Sequence, residues 1–83
     1  MLTGRAKRSI DMKLSVGTLP PVNPHSEWGG PSIGQVCAAC DDYIASGERE
    51  VETVGTDSIT RYFHPACLSY AESRRPRQGS RES

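Results

Sequence analysis

The sequence predicts a small α+β domain, built from a tight turn, a β-hairpin and a closing helix. Three observations predict it. Cys37-Ala38-Ala39-Cys40 and His64-Pro65-Ala66-Cys67 are two close pairs of sulfur and nitrogen donors, separated by residues 41–63. Inside that interval Arg49-Glu50-Val51-Glu52-Thr53-Val54 alternates charged with β-branched residues, and Ile59-Thr60-Arg61-Tyr62-Phe63 does much the same. His64-Pro65 then begins a run with helical spacing.

Each element has a local reason. Val36 to Cys40 forms a knuckle whose backbone N–H groups point at the cysteine sulfurs, and small Ala38 and Ala39 suit the crowding there. Asp41 and Asp42 serve the turn through local hydrogen bonds. Tyr43 and Ile44 offer apolar cover to the site, and Ser46-Gly47 breaks the chain. Gly55-Thr56-Asp57-Ser58 separates the two alternating runs as a four-residue hairpin loop. Such a hairpin is marginal alone and needs a metal and a helix beneath it. Proline is favoured at the first helical position, where its missing N–H has no partner to lose. The helix carries Leu68 and Ala71 inward with Tyr70 beside them, and ends between Ser73 and Arg75, before Pro76.

The flanks read differently. Residues 1–34 are expected to be a flexible arm rich in glycine and proline, with only weak apolar periodicity over residues 1–13. Pro20, Pro21, Pro24 and Pro31 favour irregular or polyproline-II-like backbone. Pro21-Val22-Asn23-Pro24 is a PxxP string, read as linker before groove ligand. Trp28 is the residue there with apolar surface to dock on the module, and His25 is expected to be solvated. Residues 35–75 are the module, and residues 76–83 a disordered basic tail.

The donor pattern points to a metal. Two pairs joined by a hairpin-length loop match a zinc site, so the candidate ligands are Cys37, Cys40, His64 and Cys67, holding one Zn2+ per chain. His64 and Cys67 stand three apart, on one side of the first helical turn. A site closed by four protein groups keeps no position for a catalytic water, so the expected role is structural and the chain is not expected to be an enzyme. The same donors suit an iron–sulfur cluster as a second option. A thioredoxin-like use of Cys37-x-x-Cys40 requires a βαβ frame that 83 residues with this pattern do not supply. Covalent haem attachment requires histidine where Asp41 stands.

Three cysteines, an odd number, argue against a disulfide scaffold and for a reducing, cytoplasmic compartment. Arg5, Lys7 and Arg8 do not lead into an apolar run, so neither a signal peptide nor a membrane span is expected. Ten basic and ten acidic residues balance to a formal charge of zero. Their distribution is uneven: basic ends flank a middle in which Asp41, Asp42, Glu48, Glu50, Glu52 and Asp57 outweigh Arg49 and Arg61.

Knuckle, hairpin and a helix whose first turn supplies the last two ligands form the treble-clef arrangement. Cys37-x-x-Cys40, Ile44, Gly47-Glu48 and Phe63-His64-Pro65-x-Cys67 resemble the first zinc module of a LIM domain. Less closely, they are similar to a zinc finger of poly(ADP-ribose) polymerase type. Tyr70 stands where a LIM domain begins its second module, and Leu68 where the polymerase-type finger has an aromatic residue. The resemblance implies the four zinc ligands. Two function classes follow as expectations. The first is a protein-interaction adaptor, favoured because the acidic hairpin would repel phosphates. The alternative is a nucleic-acid-binding finger using the basic tail. Neither a membrane nor a small-molecule substrate is expected as partner.

Overall fold

The computed structural model describes residues 2–75, in the order α1 (Gly4–Val16), β1 (Val22–Pro31), β2 (Arg49–Gly55), β3 (Thr60–Phe63) and α2 (Pro65–Arg74). The expected tail at 76–83 lies outside the described residues.

The hairpin forms where the alternation places it. Strands β2 and β3 pair antiparallel with Val51 opposite Phe63 and Val54 opposite Thr60. Its loop closes through Ser58 N–H donating to the Gly55 carbonyl at 2.9 Å, with Ser58 at φ 68°. Asp57 grips the Arg61 guanidinium with both oxygens, at 3.1 and 2.9 Å. A Cβ on Gly55 would lie 2.7 Å from the Asp57 carboxylate, so the bare glycine is what admits this pairing.

The first 34 residues correct the expected arm. Leu2, Ala6, Ile10 and Leu14 recur every fourth residue, the stripe of an amphipathic helix. Thr3 caps α1, its Oγ1 accepting from Ala6 N–H at 3.0 Å. Gly17, at φ 82°, ends it in the left-handed conformation, and Thr18 N–H returns to the Lys13 carbonyl at 3.0 Å. Residues 22–31 form an edge strand, antiparallel to β2, with a break in register between Val22 and Glu27. Pro24 falls in that break and Pro31 at the strand's end, the places where a missing N–H is harmless. His25, at φ 69°, is exposed, as expected.

The core lies between the inward face of the sheet and the two helices. Ile10, Ile44, Phe63, Leu68 and Ala71 are buried there with Cys37 and Cys67. Thr53 is buried in the middle of β2, its hydroxyl donating to the Arg61 carbonyl at 3.4 Å. Helix α2 ends as expected: Arg75 turns extended, at ψ 132°, directly before Pro76. Tyr70 ties the helices together by donating its hydroxyl to the Asp11 carboxylate at 3.1 Å. Trp28 does not dock on this core. It sits in β1 and keeps 54% of its surface exposed, because its side of the sheet faces away from α2.

Candidate metal centre

Two pieces of chain carry the donors. The knuckle at Cys37–Cys40 is closed by Asp41 N–H donating to the Cys37 carbonyl at 2.9 Å, with Asp41 at φ 69°. It is anchored on β3 by Ala38 N–H donating to the Tyr62 carbonyl at 2.8 Å. Helix α2 begins at Pro65, so His64 precedes its first turn and Cys67 lies within it.

The four donor atoms of Cys37, Cys40, His64 and Cys67 lie within 4.8 Å of one another. His64 Nδ1 is 3.5 Å from the Cys40 sulfur and 3.7 Å from that of Cys67. A tetrahedron with metal–sulfur bonds of about 2.3 Å and metal–nitrogen bonds of about 2.0 Å has sulfur–nitrogen edges of about 3.5 Å. The site therefore fits a metal ion of that size.

The histidine tautomer is set from behind. His64 Nε2 lies 3.2 Å from the Tyr43 carbonyl oxygen. An N–H there donates to that carbonyl, which leaves the Nδ1 lone pair directed at the sulfurs. Tyr43 thus serves the site with its backbone, while its ring is 74% exposed. The apolar cover expected of Tyr43 and Ile44 comes from Ile44 alone, which is fully buried.

Electrostatics favour a cation among the sulfurs. Cys37 is pulled down to about 4, chiefly by hydrogen bonding from the Cys67 thiol and then from backbone N–H groups, His64 N–H among them at 3.4 Å. Cys67 is pushed well up by that same shared bond, by burial and by the charge on Cys37. Burial raises Cys40 too. One thiolate thus suppresses the next. A divalent cation at the centre reverses that repulsion and lets all three sulfurs ionise.

Sequence reasoning missed what holds the knuckle from outside. Lys13 of α1 donates its ammonium to the Ala38 carbonyl at 2.8 Å and pairs with the Asp41 carboxylate at 2.6 Å. Ser9, one turn earlier, donates to the Ala39 carbonyl at 3.1 Å. Ser32, buried on the other side, donates to the Ile44 carbonyl at 2.8 Å and accepts from Gly34 N–H at 3.0 Å. The only signal for the first pair was their place on one face of a helix that the sequence pattern had understated.

Among the described residues no helix is long and apolar enough to cross a membrane. No family model, curated protein or solved structure matches the chain.

Proposed function

We propose that this chain is a module held together by one structural zinc, and that its folded surface engages another protein. The observation that carries the metal is the Cys37, Cys40, His64 and Cys67 cluster, with its imidazole turned by the Tyr43 carbonyl. Three thiolates with one neutral imidazole suit zinc among the divalent metals, and four protein donors leave no site for substrate or catalytic water. Cys37, Cys40, His64 and Cys67 hold the ion; it supplies cross-linking, and the chain has no catalytic role. Knuckle, hairpin and helix in that order support reading the centre as a treble clef similar to the first zinc module of a LIM domain.

The adaptor reading rests on charge. Glu48, Glu50, Glu52 and Asp57 crowd the hairpin, and three thiolates around zinc add about one further negative charge. A surface of that sign repels phosphate. The protein partner should therefore bind the zinc-loaded chain, and bind it equally well after truncation behind Arg75. Affinity capture with and without a chelator tests this. Capture that persists after zinc is stripped would overturn the reading.

A nucleic-acid reading draws on a different face. Arg5 and Arg8 are exposed on α1 and have no carboxylate partner among the described residues. They and the tail arginines are where a phosphate backbone would attach.

A further inference from the structure

One face of the sheet turns away from α2, and it carries exposed Trp28 beside half-buried Glu50, Glu52 and Tyr62. Trp28, Glu52 and Tyr62 are direct cross-strand partners on β1, β2 and β3, so their side chains rise from one face in a single row. Glu50 stands on the same face two residues before Glu52, opposite Gly30. The inward face carries Val51, Thr53 and Phe63, against which α2 packs. Arg49 lies on that other side as well: its guanidinium sits 3.2 Å from where a Gly29 Cβ would be.

Three features of this face ask for a cation. Neither Glu50 nor Glu52 has an ion pair among the described residues, and Glu50 Oε1 is shielded from solvent with no donor. None of the outward positions of β2 and β3 is a lysine or arginine. A Cβ at Gly30 would meet nothing within 4 Å, so the space beside Glu50 is open. Trp28 is exposed one strand spacing from Glu52, about 5 Å. Tyr62, on the far side of Glu52, packs against the core, so the open ring on this face is that of Trp28. An exposed aromatic ring with unpaired carboxylates beside it is what a guanidinium uses, by stacking and by charge.

We propose that this outer face is the partner-binding surface, and that its occupant is an arginine-rich segment of another protein. The proposal rests on the adaptor reading and names the chemistry of its partner. Exposed Trp28 is left uncovered by its own fold because the partner's guanidinium stacks on it. Glu50 and Glu52 are left unpaired because the partner brings the countercharge.

Trp28 is the only tryptophan in the chain, so its emission reports on this face alone. The test titrates full-length, zinc-loaded protein with a hexa-arginine peptide, beside a hexa-glutamate peptide and a single-stranded oligonucleotide. Hexa-arginine should change Trp28 emission saturably, and the other two should not. The double variant Glu50→Gln with Glu52→Gln should bind about tenfold more weakly. Gly30→Val, which fills open space on ordinary strand backbone, should lose the response while keeping its amide NMR dispersion. A matched control, Glu27→Gln with Glu72→Gln, removes the same charge from the opposite side of the sheet and from α2, and should leave the affinity unchanged.

An unresponsive Trp28, an equal loss in the control, or a response to the oligonucleotide instead would each overturn the proposal. The adaptor reading fails separately. If hexa-arginine binds this face but capture of the cellular partner ignores zinc, only that reading falls. If capture depends on zinc but survives Gly30→Val, only this face is wrong.

Discussion

The Lys13 ammonium meets the Ala38 carbonyl oxygen at 2.8 Å, across 25 residues of sequence. That bond ties a helix near the chain's beginning to the turn that presents two of the four candidate ligands. The same ammonium pairs with Asp41, the residue whose left-handed backbone closes the turn. The knuckle is thus fixed from two sides, by β3 and by α1.

Lys13→Met should keep the aliphatic packing and lose the tether. A charge-assisted hydrogen bond of this kind is worth about 1.5–3 kcal/mol, less here because Lys13 is partly exposed. Zinc affinity, read by competition with a chromophoric chelator, should fall about tenfold. Unchanged affinity would show that the knuckle forms without α1.

Ile10→Ala tests whether α1 belongs to the folded unit. Ile10 is completely buried in the shared core. Truncating it should lower the stability of the zinc-loaded protein by about 2–5 kcal/mol, measured by urea denaturation. A variant as stable as the parent would return residues 4–16 to the status of an arm.

Removal of the metal should unfold the module. Structural zinc in small domains contributes roughly 10–16 kcal/mol at neutral pH, more than a core of this size supplies. Cys67→Ser or excess chelator should collapse the amide NMR dispersion of the full chain. A dispersed spectrum from metal-free protein would count decisively against this.

Acid should act at the metal before it acts at the hairpin. Protons displace zinc as the ligands protonate, between about pH 6 and 4. Asp57 is held down to about 2, from the ordinary 3.8, by the Arg61 guanidinium. A carboxylate with a depressed value stabilises the fold fully above its unfolded value and loses that effect only as pH falls through the folded one. Its window, from about 3.8 down to 2, lies below zinc release. Asp57→Asn should therefore lower Tm at pH 7 and leave the acid midpoint unmoved. A shifted midpoint would place the carboxylate, rather than the ligands, in control.

Salt separates the two function classes. Each neutralised phosphate adds about −0.9 to the slope of log K against log salt on duplex DNA. Arg74 is engaged by Asp11 at 3.2 Å, and Arg75 by the Leu19 carbonyl at 2.8 Å, so neither is free for phosphate without breaking a bond. A steep slope that survives truncation behind Arg75 would point to Arg5 and Arg8 on α1. A shallow slope with strict zinc dependence is expected of the protein partner.

The hairpin, the closing helix and the four donors were legible because each has a local cause. Alternation marks β2 and β3, Pro65 marks the start of α2, and donor spacing marks the cluster. The N-terminal third was misread because its signals compete. Leu2, Ala6, Ile10 and Leu14 form a stripe that arginines and lysines dilute, and prolines mask a strand that only pairing with β2 reveals. Ser9 and Lys13 gave no sign of their role, since a carbonyl 25–30 residues away leaves no trace in local pattern.

Tyr70 and Asp11 meet across 59 positions of sequence, and the last donor, Cys67, lies just before that contact. On an emerging chain α1 can meet the knuckle and β1 can meet β2 early, but α1 finds α2 only after Cys67 has been made. Amides of α1 and α2 should then gain protection in one kinetic phase, triggered by metal capture. Until that moment Ile10, Leu19 and Phe63 lack the Leu68 and Ala71 side of the core that buries them.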